Sequence, residues 1–179
     1  MLRSRLLFAV LAVFHEPVLA AQALPPLDQY HIRAFGPTSG GMLVSDVRDL
    51  KQTRDGYVYI AQARGLMRYD GYSFERVNLP GLNTAFVEMI HEDQRARLWV
   101  LTRGDELGYL EQGRFQPVPM QFSGWQSIHE TGDGQIWVSG LKGLATVTTE
   151  RGPSLYVFGA QHGLPAGRTF GVFDASPEQ

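Results

Sequence analysis

A repeat of about 40 residues constrains the fold of this 179-residue chain more than any other feature of its sequence. The segments 50–59, 90–99 and 128–137 align without a gap. Each segment opens with an aliphatic residue, has Gly or Ala six places on, and has an aromatic residue nine places on. The aromatic residues are Tyr59, Trp99 and Trp137, with spacings of 40 and 38. A period in this range indicates stacked supersecondary units that bury their apolar faces against one another.

Each unit is predicted to form antiparallel β-strands. The dipeptides Asp55-Gly56 and Asp133-Gly134 separate runs of β-forming residues. Such dipeptides favour tight hairpin turns because they tolerate positive φ. A second hairpin is predicted further on in each of the first two units. Four strands in a repeat of this length are the pattern of a β-propeller blade.

The units therefore predict an all-β fold, an incomplete β-propeller of about three four-stranded blades with the start of a fourth. The predicted blades cover residues 47–80, 87–120 and 125–158, and the fourth begins at 166–179. Residues 174–179 align with residues 51–56, so the given sequence is expected to stop inside the first turn of that blade. Rings of about four to eight blades protect their strand edges. We expect three and a fraction blades to be only marginally stable alone.

The repeat residues resemble the two-component regulator propeller repeat, which couples an Asp-x-x-Gly turn to a Leu-Trp-Ile-Gly-Thr strand and a Gly-Leu-x-x-Tyr strand. The resemblance spans roughly residues 30–179, and its clearest copy is at 55–71. Departures are Tyr59 in place of Trp and Arg95-Ala96 in place of Asp-Gly. The structural motif residues are Gly56, Tyr59, Gly65, Trp99, Gly134, Trp137 and Gly143.

That resemblance implies a sensor rather than an enzyme. Similar proteins carry propellers in the bacterial periplasm, usually followed by a β-sandwich, one membrane helix and a histidine kinase, response-regulator or diguanylate cyclase output domain. The given sequence reaches none of those later parts. The resemblance therefore implies the ligand-detecting propeller portion of a two-component-type signalling protein, truncated before its membrane and output domains. Its implied partners are the remaining propeller blades or another chain.

The first 23 residues are predicted to be a secretory signal peptide, which implies a periplasmic protein. Arg3 and Arg5 precede an apolar run at 6–14, and small residues follow with the spacing that signal peptidase requires. A run of nine apolar residues is too short to span a bilayer, which takes about 20 residues. Residues 24–46 would then form an N-terminal strand and linker. The stretch 30–35 is expected to donate an outer strand to the last blade of a full ring.

Composition excludes several classes of function. The formal net charge of −2 gives no electrostatic footprint for nucleic acid, and the absence of Cys excludes a disulfide scaffold or a thiolate metal site. No other stretch is apolar enough to span a bilayer. The expected partner is an unidentified periplasmic ligand, with a carbohydrate as one candidate, and no cofactor is expected.

Candidate ligand-binding residues come from loops and from one tryptophan. Arg64, Arg103 and Lys142 all fall in the turn between the second and third strands of their units, at one expected rim of the propeller. Loops on a rigid scaffold often carry function, so these residues could form a cationic arc for an acidic sugar or a partner domain. Alternatively, exposed turns simply favour charge. Trp125 opens the third unit and could stack on a sugar or pack in the core.

Two histidines are the candidates for a metal site. His91 and His129 occupy equivalent repeat positions, and each precedes a glutamate, which suggests a metal site between blades. Consecutive strand residues face opposite sides, so we expect no metal site and interpret these residues as solvated positions beside a turn. No catalytic residue is predicted. A lyase-like or lactonase-like propeller enzyme remains an alternative, as does a binding scaffold that self-associates through its unfinished edges.

Overall fold

The computed structural model describes residues 35, 46–83, 86–120, 123–141, 143–150, 152–165 and 167–173. The chain divides into two units, Met1–Ala34 and Phe35–Gln179, and every described residue belongs to the second. The predicted signal peptide therefore lies outside the described residues, as do Lys142 and residues 174–179. In the part of the chain that is described, no helix has the length and apolar character needed to cross a membrane.

Twelve strands form three antiparallel sheets of four strands each, and the strands of every sheet follow one another in sequence order. We call the sheets the first, second and third blade. The first contains β1 Val47–Gln52, β2 Val58–Gln62, β3 Gly65–Tyr69 and β4 Phe74–Val77. The second contains β5 Val87–Glu92, β6 Leu98–Thr102, β7 Leu107–Glu111 and β8 Arg114–Val118. The third contains β9 Trp125–Glu130, β10 Ile136–Gly140, β11 Gly143–Thr148 and β12 Ser154–Phe158. The all-β prediction of three four-stranded blades is confirmed.

The turn between the first two strands has the same conformation in all three blades. In each, a backbone N–H at the start of the turn donates to the carbonyl oxygen four residues later, over 2.9 to 3.0 Å. Gly56 and Gly134 close this turn with φ values of 89° and 81°, as the Asp-Gly dipeptides predict. Ala96 occupies the same place in the second blade with a φ of 60°. The turn therefore persists in the middle repeat, although an L-residue in this region is strained.

The first strand of each blade carries a β-bulge near its start. The strands β1, β5 and β9 are the inner strands, because β5 contacts both of the others while the remaining strands of each blade extend away. The ladder register shifts around Arg48 in β1, around Glu88 in β5 and around Gln126 in β9. A bulge leaves one residue outside the pairing and redirects its side chain. Each of the three inner strands thus has an extra polar residue at the same position, near the start of the strand.

Neighbouring blades pack face to face through two clusters of buried apolar side chains. One cluster joins the first and second blades, and Tyr59 packs against it. The other joins the second and third blades and contains Trp99, which is fully buried. Ile136 and Val138 of β10 belong to that second cluster, so Trp137 between them points to the opposite face of the third blade. There Trp137 stacks on Phe158, with ring centroids 5.3 Å apart.

The ends of the inner strands β5 and β9 are each connected to the preceding blade by a repeated polar contact. Both carboxylate oxygens of Glu92 accept the backbone N–H of Arg54, each at 3.1 Å. In the next pair of blades, Glu130 accepts the backbone N–H of Gln94 at 2.9 and 3.0 Å. His91 Nε2 also lies 3.2 Å from Glu130 Oε2. These glutamates connect neighbouring blades, which corrects their interpretation as solvated turn positions.

Residues 167–173, from the predicted start of the fourth blade, contain no strand. The Thr169 backbone N–H donates to the Gly140 carbonyl oxygen at 2.9 Å, so this segment lies against the end of β10. Phe170 and Phe173 are 79% and 87% exposed. The segment therefore lies at the end of the third blade, and its two phenylalanine side chains are largely exposed.

Phe35 packs against the first blade. Its ring meets the rings of Tyr69 and Phe74 edge-on, with centroids 5.4 and 5.0 Å apart. The remainder of the predicted N-terminal strand, residues 30–34, lies outside the described residues.

Candidate functional site

A cleft of about 470 Å³ opens where the three inner strands begin. We call it the bulge cleft. It combines the bulge residues of all three blades with the loop between β6 and β7 and with the start of β9. Its lining residues are Arg48, Glu88, Arg103, Asp105, Gly124, Trp125 and Gln126.

The bulges explain why polar side chains converge on this cleft. A regular inner strand would alternate its side chains between the two packed faces of the blade. Arg48, Glu88 and Gln126 are instead displaced from the ladder, and all three line the cleft. The propeller core therefore keeps its apolar packing while one polar residue from each blade reaches the same opening.

Two guanidinium groups at the cleft flank one phenylalanine ring. Arg48 Cζ lies 5.1 Å from the centroid of the Phe86 ring, and Arg103 Cζ lies 5.0 Å from it. These are distances at which a guanidinium is attracted to an aromatic face. The backbone N–H of Arg103 also donates to the Phe86 carbonyl oxygen at 3.0 Å. Arg48 forms an ion pair with Asp46 over 3.1 Å, whereas Arg103 has no described carboxylate within ion-pair distance.

Asp105 fixes the wall of the cleft next to β9. It adopts a φ of 62°, a left-handed conformation that aspartate tolerates better than most residues. Its Oδ1 accepts the backbone N–H groups of Gly124 and Trp125. Trp125 is 5% exposed and belongs to the cluster between the second and third blades. Trp125 therefore packs in the core while the residue also lines the cleft.

Glu88 has a side-chain oxygen that lacks a hydrogen-bond partner among the described residues. Its Oε2 is buried, and no described residue donates a hydrogen bond to it. Buried polar atoms without a partner are uncommon in folded proteins, because the desolvation cost is not compensated. Since Glu88 lines the cleft, its carboxylate adds negative charge to the wall that no described donor offsets at this oxygen.

The structure brings together only part of the predicted site. Arg103 and Trp125 both line the bulge cleft. Arg64 does not line it; its carbonyl oxygen instead accepts a hydrogen bond from Arg76 Nη2 at 2.8 Å. Lys142 lies outside the described residues. The ligand roles predicted for these four residues stay predictions.

The repeat alignment holds a signal for the three bulge residues that the sequence reasoning missed. Arg48, Glu88 and Gln126 each stand 11 positions before the motif aromatic residue of their unit. Extending the alignment upstream would have placed three polar residues in register near the start of the first strand of each unit. The convergence of these three side chains still depends on the β-bulges, and no residue pattern in the chain predicts the bulges.

No group of three or more His, Asp or Glu side chains that could hold a metal occurs within the described ranges. His91 and Glu130 contact each other, but the pair is engaged in the connection between the second and third blades.

Three solved structures resemble this fold. The extracellular domain of BT3049 from B. thetaiotaomicron, designated a hybrid two-component system, is 19% identical with a TM-score of 0.65, over 76% of this chain and 20% of that one. The extracellular domain of BT4673 from the same organism, designated a one-component system, is 22% identical with a TM-score of 0.60, over 75% and 18%. Virginiamycin B lyase from Staphylococcus aureus is 19% identical with a TM-score of 0.55, over 66% and 42%.

These likenesses confirm the propeller fold that the repeat resemblance implied. The chain spans about a fifth of the length of the two B. thetaiotaomicron domains it matches. No protein-family model matches the chain, and no curated protein matches it.

Proposed function

We propose that this chain is a ligand-detecting propeller of an exported bacterial signalling protein and that the bulge cleft binds its ligand. The fold supports this proposal, since two of the similar structures are extracellular domains designated as parts of one-component or hybrid two-component systems. The signal-peptide pattern of residues 1–23 supports export to the periplasm. The proposal assigns no catalytic step to the chain.

The observation that carries the proposal is the convergence of three equivalent bulge residues on one cleft. Binding sites combine a concave surface with a few well-placed polar groups. The bulge cleft offers a guanidinium, a carboxylate and an amide from Arg103, Glu88 and Gln126. Guanidinium groups donate, carboxylates accept and amides do both, so this set matches a ligand with several hydroxyl groups. We therefore propose a carbohydrate as the ligand class.

The first test compares two arginines in equivalent loops. In the full chain, we expect Arg103→Gln to weaken sugar binding by about tenfold or more, because a hydrogen bond to a charged group contributes about 1.5–3 kcal/mol. The matched control is Arg64→Gln, since Arg64 occupies the corresponding loop of the first blade and does not line the cleft. Binding is measured by isothermal titration against a panel of mono- and oligosaccharides, with circular dichroism to verify folding.

Each outcome of that comparison is informative. Equal losses in the two variants would favour the arc of loop arginines over the bulge cleft. A panel in which no sugar binds the wild-type chain would contradict the carbohydrate proposal.

A second candidate function rests on the uncovered face of the third blade. This face carries Trp137, Phe158 and Tyr156, and Tyr156 is 53% exposed. Gly132 holds the position at which, in the two preceding blades, a backbone N–H is bound by the glutamate of the next blade. A further four-stranded blade, in a longer chain or in another chain, is the occupant that this repeated interface fits.

This second candidate predicts association of the full chain through that face. We expect sedimentation velocity to show oligomers that grow with protein concentration. The change Phe173→Ser should shift the chain toward monomer, because Phe173 is exposed beside His129 on the uncovered face. Tyr72→Ser is the control, since Tyr72 is 92% exposed on the first blade. A wild-type chain that stays monomeric at every concentration would exclude self-association.

A further inference from the structure

We propose that the bulge cleft selects neutral sugars over acidic ones and that Glu88 determines this selectivity. This inference rests on the proposed function and specifies its ligand class. It departs from the acidic sugar that the loop arginines suggested, because the structure adds carboxylates that the sequence pattern did not place near those arginines.

The charges around the cleft do not favour an anion. Two guanidinium groups, those of Arg48 and Arg103, line it together with the carboxylates of Glu88 and Asp105. Arg48 is already paired with a further carboxylate, that of Asp46, over 3.1 Å. Among the described residues at the cleft, and counting Asp46, three carboxylates accompany two cations. Arg103 is the one cleft arginine without an ion pair in the described part of the chain, and Glu88 lines the same cleft.

The two cleft carboxylates differ in how far hydrogen bonds offset their negative charge. Asp105 Oδ1 is occupied by the backbone N–H groups of Gly124 and Trp125. Glu88 Oε2 is buried without a donor. No described donor compensates the Glu88 carboxylate at this oxygen, whereas two backbone N–H groups partly offset the charge of Asp105. Glu88 therefore contributes negative charge to the cleft wall.

A sugar hydroxyl is compatible with a negatively charged cleft wall, whereas a sugar carboxylate is not. A hydroxyl donates one hydrogen bond and accepts others, so neighbouring hydroxyls can donate to Glu88 and accept from Arg103. An ionised carboxylate has no hydrogen to donate, and like charges at close range disfavour binding. Replacing a C6 hydroxymethyl group by a carboxylate therefore weakens binding wherever that group approaches Glu88.

The test uses sugar pairs that differ only at C6. Glucose is compared with glucuronic acid and galactose with galacturonic acid, each as the free sugar and as a short oligomer, by isothermal titration to the full chain at neutral pH. We expect the wild type to bind the neutral member of a pair at least about tenfold more tightly, a ratio that corresponds to ~1.4 kcal/mol.

The variant Glu88→Gln removes the charge and keeps the shape of the side chain. We expect it to reduce the preference for the neutral sugar to less than about threefold, because the amide can donate to a carboxylate as well as accept from a hydroxyl. The matched control is Glu111→Gln, which makes the same charge change at an exposed position on β7 outside the cleft. This control should keep the wild-type preference.

The outcomes separate this inference from the proposed function. Tighter binding of the acidic sugars, or a preference that Glu88→Gln leaves unchanged, would overturn the selectivity while sugar detection stands. Equal shifts in the Glu88 and Glu111 variants would assign the selectivity to net charge and overturn the role of Glu88. Absence of binding by every sugar would overturn the proposed function and this inference with it.

Discussion

Replacing Trp99 by alanine is expected to lower the free energy of unfolding by about 3–5 kcal/mol, the range for a fully buried aromatic side chain. Trp99 is 0% exposed and lies in the cluster that joins the second and third blades. Its ring centroid lies 5.0 Å from that of Tyr109, and its Nε1 donates to Asp93 Oδ2 at 2.8 Å. Truncation therefore removes apolar contacts between two blades and one buried hydrogen bond. The change in the free energy of unfolding is measured by urea unfolding, monitored by far-ultraviolet circular dichroism rather than by tryptophan fluorescence.

Trp137 provides a matched control within the same chain. It holds the same repeat position as Trp99 but lies on the uncovered face of the third blade, where it is only half-buried and stacks on Phe158. We expect Trp137→Ala to cost less than half as much as Trp99→Ala. Equal losses would mean that the repeat position alone, and not the presence of a neighbouring blade, sets the contribution of the aromatic residue.

Replacing Asp93 by asparagine is expected to produce the second large loss, of about 3–5 kcal/mol, because it leaves a partly buried arginine without its counter-charge. Asp93 is 1% exposed. Its carboxylate accepts from Arg97 Nε at 2.7 Å, from Trp99 Nε1 at 2.8 Å and from the backbone N–H groups of Arg95 and Arg97. The matched control is Asp133→Asn, in the corresponding turn of the third blade, where the carboxylate is exposed.

The same carboxylate predicts how stability depends on pH. Burial by itself would raise the pKa of Asp93, but the hydrogen bonds from Trp99 and Arg97 and the charge of Arg97 outweigh it and hold the pKa below its ordinary value of 3.8. A group with a lowered pKa in the folded state stabilises the fold above its unfolded pKa, and this contribution is lost as the pH falls through the folded value. We expect the free energy of unfolding to fall below about pH 4, and to fall less steeply in Asp93→Asn. Parallel profiles for the two proteins would contradict this role of Asp93.

The repeat pattern was sufficient to predict the three blades because hairpin chemistry is local. The Asp-Gly turns at Gly56 and Gly134 adopt the positive φ that the sequence indicates. Ala96 shows the limit of such reasoning. It lacks the residue type that the turn favours, yet it adopts the same conformation, because the pairing of β5 with β6 holds the turn from both sides.

The candidate site was less predictable, since its residues are distant in sequence. Arg103 and Trp125 were predicted as ligand residues and do line one cleft, but Glu88 and Gln126 were not singled out. Arg64 shares its loop position with Arg103 and still does not line that cleft. Equivalent repeat positions are not equivalent sites, because each blade meets different neighbours.

The sequence by itself determined the number of strands in each described blade, the turns that join them and the aromatic position that each repeat shares. These features depend on residues close together in the chain, and their period makes them visible. Only the tertiary structure decided which aromatic residue is buried, that Glu92 and Glu130 connect neighbouring blades, and that three bulges open on one cleft. Those outcomes depend on contacts between residues about 40 positions apart. The repeat pattern of the sequence does not say which faces of the blades pack together or which side chains remain without a hydrogen-bond partner.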